Sequence, residues 1–469
     1  MHTMTQSART AVTLVLLVCA TASLKADEVD RYIEAHMRHF HIPGISLAVV
    51  RDGRIVKERG YGIADVELDV PMTKERVFEI GSMTKQFTAT AIMMLVEDRR
   101  IGLDDAVSKY LPDVPPAWRQ ITVRHLLTHT SGIVGNATRI PAPARGAGRS
   151  TNAPDANIRI DNRFYEVSLD FPPGEGWAYS NAGYHLLGVI VSNASGKSCA
   201  DFTDERILKP LGMTTGRVAV ANGIVANRAA GYEWTNDRLE NRAFLPTVGS
   251  MGDVGLNSTV GDLAKWDAAL YTEKLLKRSS LQQMWAPITL ADGARPAFDY
   301  GFGWFLDTYR GHPVVHHPGV TPGFSTTITR FVDDKLTVIV LANSSGQLVE
   351  PIAMGIAALY LPALVLPSEG LPDPDPATSR ILRQALFGLT SGTPDLTLFT
   401  PATQRFLTSG NELSQWLTAF GPLQSFVFAD SEHAGRDRIL RYRIALGDSA
   451  FTFAFTLTEQ GKIAHAFFW

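Results

Sequence analysis

Ser82-Met83-Thr84-Lys85 stands directly before an apolar run, QFTATAIMMLV over residues 86–96. The stretch from Met83 to Val96 is apolar nearly all round, which predicts a helix buried at the centre of a domain. Residues three apart lie on the same face of a helix, so we expect the Lys85 amine within reach of the Ser82 hydroxyl.

This serine–lysine pair has the chemistry of an activated nucleophile. A serine hydroxyl is weakly nucleophilic until a base takes its proton. Lys85 can be that base only when its amine is neutral, and burial beside the apolar helix lowers a lysine pKa. Backbone N–H groups at a helix start also favour developing negative charge. Every other lysine lacks a serine three residues before it, so the pattern predicts Ser82 as the nucleophile.

A second motif, Tyr179-Ser180-Asn181, follows the turn Pro172-Pro173-Gly174. A tyrosine beside a lysine can share the proton transfer, because a nearby cation favours the phenolate. The Asn181 amide can donate to a substrate carbonyl and accept from Lys85. A purely structural alternative is that Tyr179 packs in the core and Asn181 caps a helix beginning near Gly183.

A third motif, His317-Pro318-Gly319-Val320, leads into a predicted strand that starts at Phe324. A polar residue followed by glycine on a sheet edge lets a substrate backbone lie alongside and leaves an N–H for an oxyanion hole. Pro318 cannot donate a ladder hydrogen bond, so it also predicts an edge position.

Taken in this order, S-x-x-K, Y-x-N and H-x-G resemble the penicillin-recognising serine hydrolases. These include class C β-lactamases, D,D-carboxypeptidases and related esterases and D-amino-acid peptidases. The likeness covers about Val29 to Leu361, and the accessory stretches that share it are Leu126 to Gly132, Pro210 to Met213, Ser258 to Trp266 and Tyr300 to Trp304.

The resemblance implies a role for each matching position. Ser82 is implied to form the acyl-enzyme, and Lys85 and Tyr179 to exchange the proton. The backbone N–H groups of Ser82 and Val320 are implied to form the oxyanion hole. The substrate-binding residues that it implies are Asn181, His317, Gly319 and Val320. It implies neither a metal nor a cofactor.

His317 and Pro318 depart from the K-T-G pattern that many relatives carry. A mostly neutral imidazole attracts a substrate carboxylate less than an ammonium does. Pro318 also replaces a hydroxyl-bearing residue that would contact that carboxylate. Both departures favour an esterase or peptidase over an efficient β-lactamase. The substrate stays open between a small ester, a D-amino-acid peptide and a β-lactam.

Other classes of function fit the sequence less well. His125 and His129 have the spacing of a zinc-binding helix, but Leu126 occupies the position where such a site needs glutamate. No G-x-S-x-G or phosphate-binding loop occurs in the chain. A penicillin-binding sensor or scaffold that is acylated without turnover remains the alternative function.

The sequence predicts an α+β fold in two domains. Hairpins around Asp52-Gly53 and Asp333-Asp334 predict one antiparallel sheet built from both ends of the first domain, flanked by helices and joined to a helical subdomain. The expected boundaries are a β-lactamase-like domain over 27–363, a proline-rich linker over 364–377 and a cone-like α+β domain over 378–469. Residues 139–162 are expected to form a mobile insertion between two segments of the site, either as a rim or lid of the site or simply as a tolerated surface loop.

Composition and the first residues bear on location and partners. The chain has 469 residues with a formal charge of -3, which gives no reason to expect a nucleic-acid partner. Residues 1–26 have the layout of a signal peptide, with cleavage after Ala22 or Ala26, and predict a periplasmic or secreted protein without an integral membrane span. Cys199 is expected to be an inert thiol. The expected partner is a small-molecule or peptide substrate, and the oligomeric state is left open.

Overall fold

The computed structural model describes residues 28–111, 114–133, 168–218, 224–242, 252–346, 349–367, 370–408, 417–418, 420–447 and 449–468. The predicted signal peptide and the predicted insertion lie outside these ranges. Within them, no helix has the length and apolar composition needed to cross a lipid bilayer.

Helices and strands alternate irregularly along the chain. The helices are α1 (28–39), α2 (Thr84–Glu97), α3 (Val123–Leu127), α4 (Asn181–Ser195), α5 (Cys199–Thr203), α6 (Lys209–Leu211), α7 (Val260–Ala269), α8 (Arg278–Met284), α9 (Val349–Tyr360), α10 (Pro376–Thr390) and α11 (Pro401–Thr408). The strands are β1 (Gly44–Arg51), β2 (Arg54–Asp65), β3 (Val70–Pro71), β4 (Phe78–Glu79), β5 (Arg217–Val218), β6 (Tyr232–Thr235), β7 (Arg238–Asn241), β8 (Leu256–Ser258), β9 (Phe305–Tyr309), β10 (His312–Thr321), β11 (Phe324–Phe331), β12 (Leu336–Ala342), β13 (Ser344–Ser345), β14 (Leu423–Ala434), β15 (Asp437–Leu446), β16 (Ser449–Leu457) and β17 (Ile463–Phe468).

The first domain is built on a seven-stranded sheet in the order β3-β2-β1-β12-β11-β10-β9, with antiparallel neighbours throughout. The predicted α+β class is therefore confirmed. Strand β1 shows why two helical layers form. Ile45, Leu47 and Val49 face the core that contains α1 and α9, whereas Ala48 and Val50 face the core that contains α2. Successive residues of a strand point to opposite faces, so a strand that is apolar at nearly every position needs cover on both.

Helix α2 is buried along almost its whole length, in agreement with its apolar sequence. Helix α3 ends at Leu127, earlier than the Val123 to Thr130 helix that the sequence predicts. The Thr128 hydroxyl bonds back to the Arg124 carbonyl, and His129 takes a left-handed backbone conformation at φ 60°. That conformation ends a helix and turns the chain toward the motif at 179–181.

The second domain consists of α10, α11 and an antiparallel sheet in the order β14-β15-β16-β17. Its core is formed by the apolar face of α10 together with alternate residues of the strands, including Leu386, Tyr442, Phe453 and Phe455. The small C-terminal α+β unit that the sequence predicts is thus present.

Candidate active site

Ser82 lies on a single 3₁₀ turn, Gly81–Met83, which runs directly into α2. Gly81 makes this turn possible, because its φ is +53° and a Cβ there would lie 2.7 Å from the Val320 backbone nitrogen. Gly319 allows the same close approach from the other side, since its Cβ would lie 2.0 Å from the Ile80 carbonyl oxygen. The two glycines bring the end of β10 against the turn that carries Ser82.

Lys85 occupies the first turn of α2 and is fully buried. Its Nζ lies 3.0 Å from Ser82 Oγ, 2.7 Å from Asn181 Oδ1 and 3.0 Å from the Asp253 carbonyl oxygen. A neutral amine has two N–H donors and one lone pair. If the N–H groups donate to Asn181 and Asp253, the lone pair is left to accept the Ser82 proton.

Burial lowers the pKa of Lys85 to about 7, and the nearby Asp253 carboxylate opposes part of this shift. Removing an ammonium from water disfavours the charged form, which is the reason for the direction. A large fraction of the molecules therefore carries a neutral Lys85 amine near neutral pH.

Tyr179 lies beside this pair, with its ring centroid 4.9 Å from Lys85 Nζ. The phenolate that the sequence argument favours is opposed by burial, which raises the pKa of Tyr179 even though the adjacent Ser82 side chain lowers it in part. Its buried hydroxyl makes no hydrogen bond of normal geometry within the described residues. Lys85 is therefore better suited than Tyr179 to accept the first proton.

The helix that follows Tyr179 begins at Asn181, and its cap is Ser180 rather than Asn181. The Ser180 hydroxyl accepts the Gly183 amide at 3.0 Å. This leaves the Asn181 side chain outside the cap and bonded to Lys85. Because Asn181 Oδ1 accepts from Lys85, its Nδ2 amide is the group left to donate to a substrate carbonyl.

The end of β10 forms an open edge next to Ser82. Strand β9 pairs with β10 only as far as His316. Residues 317–321 therefore have β11 on one side and, within the described ranges, no strand on the other. Pro318 thus lies at a local edge, although β10 is an inner strand over the rest of its length. Val320 is 57% exposed at this edge.

His317 is placed differently from the other motif residues, because it is buried with 1% exposure. Its Nδ1 donates to the Pro318 carbonyl at 2.6 Å, so its Nε2 accepts the Tyr300 hydroxyl at 2.9 Å. Burial, together with the charge of Lys85, holds the pKa of His317 well below its usual range. A neutral imidazole with both nitrogens engaged has no free donor for a substrate carboxylate.

The sequence does not predict three neighbours of the Ser82–Lys85 pair as part of a hydrolase site. The Asp253 backbone carbonyl carries no side-chain signal at all. Tyr300 and His129 stand in stretches that the family resemblance includes, but their contacts depend on the fold. His129 Nδ1 accepts the Ser180 amide at 3.0 Å and so holds the peptide between Tyr179 and Asn181.

The histidines considered for metal binding make other contacts. His125 Nδ1 accepts the Thr122 amide in a capping box, whereas His129 accepts the Ser180 amide. In the part of the chain that the structure describes, no three His, Cys, Asp or Glu side chains come together in a metal-binding group. Cys199 is buried, and burial raises the pKa of its thiol to about 12.

The antiparallel sheet has helices on both faces, and a Ser-x-x-Lys pair with a buried lysine stands at the start of its central helix. These features define a β-lactamase-like serine hydrolase. The Beta-lactamase family matches residues 29–360, and the chain belongs to this family. The family resemblance inferred from the motifs is thereby confirmed.

Among curated proteins, the chain is similar to Penicillin-binding protein 4* of Bacillus subtilis (strain 168), with 33% identity over 311 residues. That alignment covers 62% of this chain and 66% of the relative. Protein flp of Staphylococcus aureus (strain N315) is 29% identical over 333 residues, with 69% and 64% covered. The chain thus spans 66% and 64% of the lengths of these relatives.

Among solved structures, the octameric penicillin-binding protein homologue from Pyrococcus abyssi is 25% identical with a TM-score of 0.61. This match covers 93% of this chain and 94% of that one, so it extends beyond the family match into the C-terminal domain. The D-amino acid amidase from Ochrobactrum anthropi SV3 is 25% identical with a TM-score of 0.60, covering 72% and 98%.

Proposed function

We propose that the protein is an exported acyl-transferring hydrolase that cleaves esters or amides through an acyl-enzyme on Ser82. The observation that carries this proposal is the 3.0 Å contact between Ser82 Oγ and a Lys85 amine whose pKa is about 7 because of its burial. A nucleophile in contact with a base of matched pKa can be deprotonated as it attacks.

In the proposed acylation, Ser82 Oγ bonds to the substrate carbonyl carbon while its proton passes to Lys85 Nζ. The backbone N–H groups of Ser82 and Val320 stabilise the oxyanion, and Asn181 Nδ2 holds the substrate carbonyl of the neighbouring amide or ester. The leaving group departs with a proton delivered from Lys85 through the Tyr179 hydroxyl. Water then attacks the ester carbonyl and gives a proton to Lys85. Lys85 Nζ passes this proton to Ser82 Oγ as the acyl bond breaks, so the acid leaves and the free enzyme is regenerated.

We assign His317 a positioning role in place of direct substrate binding. Its hydrogen bonds link Tyr300 to Pro318, which keeps the open end of β10 in place beside Ser82. Because a neutral, fully engaged imidazole offers no charge for a substrate carboxylate, uncharged acyl groups fit this site better than penicillins. A D-amino acid amidase is among the structural neighbours, which supports D-amino-acid amides as a second substrate class.

The first test is a substrate panel on the purified protein. We expect small p-nitrophenyl esters to be hydrolysed faster than penicillins and cephalosporins, with many equivalents of product per protein. D-amino-acid amides complete the panel. Fast cephalosporin turnover would contradict the positioning role of His317. Product formation that stops at one equivalent would support the alternative function, a sensor or scaffold that is acylated without turnover.

The pH dependence of kcat/KM provides a second test. Only the neutral Lys85 amine can accept the serine proton, so activity should fall as the pH drops through about 7. Glu79 is the control, because burial raises the pKa of its carboxyl to about 7 as well. Glu79→Gln should retain the acidic limb, and loss of that limb in this variant would assign it to Glu79.

A further inference from the structure

Phe406 belongs by sequence to the C-terminal domain, yet it packs in the core of the first domain. It lies on α11 with 9% exposure and clusters with the residues around α2 and α4 rather than with the C-terminal core. Its ring meets Phe298 edge-on at 5.1 Å between centroids and lies 5.9 Å from Trp177. Aromatic pairs at these separations are stabilising contacts with a preferred geometry.

The Trp177 contact leads directly to the catalytic motif. Trp177 meets His129 edge-on at 5.9 Å, and His129 lies 4.4 Å from the Tyr179 ring. His129 also accepts the Ser180 amide, so it holds both the ring and the backbone of this segment. Phe406 is thus separated from Tyr179 by two packed side chains.

A second route runs through Phe298. This ring meets Phe305 of β9 edge-on at 6.2 Å, and Phe305 is stacked on Tyr179 with an interplanar angle of 6°. Two series of packed aromatic side chains therefore connect Phe406 with Tyr179.

Polar contacts also connect α11 with the turn that precedes Trp177. Arg405, next to Phe406, lies 3.8 Å from Asp292, and the adjacent Ala291 amide donates to the Gly174 carbonyl at 2.8 Å. Gly174 belongs to the turn that precedes Trp177. The C-terminal domain thereby contacts the loop that supports the Tyr179 segment.

The far end of β9 is also held by the C-terminal domain. Arg441 is fully buried, pairs with Asp430 at 3.0 Å and with Glu432, and lies over the Tyr309 ring at 4.9 Å. A buried, paired guanidinium holds its partners in a defined geometry. Both ends of the strand that carries Phe305 are consequently fixed.

We propose that Phe406 is a positioning residue for Tyr179, so that the C-terminal domain completes the active site of the first. This inference rests on the proposed function of Ser82 and Tyr179. Displacements of about 1 Å at a reacting group can cost on the order of 100-fold in rate, which makes such remote support effective.

The test is turnover per active site. Full-length Phe406→Ala and Phe406→Leu are compared with native protein, using a fluorophosphonate to count reactive Ser82 and a p-nitrophenyl ester to measure kcat. A merely structural role would lower the number of labelled sites but leave kcat per site unchanged. We expect Phe406→Ala to lower kcat per labelled site at least about tenfold, and Phe406→Leu to restore part of it.

Phe387→Ala is the matched control, because Phe387 lies in the same domain on α10 but is 62% exposed. It should keep kcat per site. A double-mutant cycle of Phe406→Leu with Trp177→Phe should give non-additive effects on log kcat, since the two rings act in series. Unchanged turnover per site in Phe406→Ala overturns the inference alone. Native protein that takes no label on Ser82 overturns the proposed function and the inference with it.

Discussion

Ser82→Ala is expected to abolish covalent labelling and to lower ester hydrolysis by roughly 10⁴- to 10⁶-fold. The substitution removes the only oxygen in contact with Lys85 that can form the acyl bond, among the residues that the structure describes. It leaves the 3₁₀ turn and the Lys85 contacts to Asn181 and Asp253 in place. The measurement is intact-protein mass spectrometry after exposure to a fluorophosphonate and to a labelled penicillin, followed by peptide mapping.

Ser192→Ala is the matched control for this experiment. Ser192 is also buried, but it lies toward the other end of α4 from Asn181, eleven residues and so about 16 Å along the helix. Among the described residues, its hydroxyl bonds only to backbone groups, at Gly188 and Cys199. This variant should label and turn over like the native protein. An adduct that survives in Ser82→Ala, or maps to another serine, would refute the assignment of the nucleophile.

The architecture of the first domain could be predicted because its signals are local. Short turns such as Asp52-Gly53 and alternating or continuous apolar runs specify β1, β2, β11 and β12 without any long-range contact. The pairing of β1 with β12 follows once both hairpins must bury their faces in one sheet. The spacing of Ser82 and Lys85 is likewise a property of a single helical turn.

The environment of the motif residues could not be predicted in the same way. The motif predicts that His317 faces a substrate, but whether its imidazole meets solvent or Tyr300 depends on where residues 300–305 return to the sheet. Burial also raises the pKa of Tyr179, whereas the sequence argument favours a phenolate. The hydrogen-bond partners of His317 and the pKa of Tyr179 depend on how segments that are distant in sequence pack around them.

Contacts between the domains could not be predicted from the sequence for a related reason. In the helical pattern of α11, Phe406 is an apolar residue like its neighbours. Nothing local says whether that apolar face meets the C-terminal sheet or the first domain. The Asp253 carbonyl is a simpler case, because every residue has a backbone oxygen and the residue type does not indicate which one contacts Lys85.

Lys85→Met is expected to lower kcat by about 10²- to 10⁴-fold, the range that general-base catalysis supplies. Methionine has a similar length and suits a buried site, so the loss reports the missing amine. Lys57→Met is the control, because Lys57 is also largely buried, at 8% side-chain exposure, but pairs with Asp30 on the far side of the sheet. That variant should keep the native kcat even if its melting temperature falls. Near-native turnover in Lys85→Met would show that another group takes the serine proton.

The same variant tests the protonation state of Lys85 through stability. The folded-state pKa is about 7, whereas the ordinary value is 10.5, so the unfolded chain binds more protons between these two pH values. The contribution of Lys85 to native stability therefore rises with pH across this window, and below it the cost of the buried ammonium is fully present. A methionine at position 85 does not titrate, so it contributes no pH dependence of stability, although it leaves the Asn181 and Asp253 oxygens without their donor at every pH.

The difference in melting temperature, Lys85→Met minus native, should consequently be most positive at pH 7 or below and should decrease steadily toward pH 10. A difference that stays constant with pH would mean that Lys85 is charged in the folded protein to the same degree as in water, and the amine could not then serve as the base.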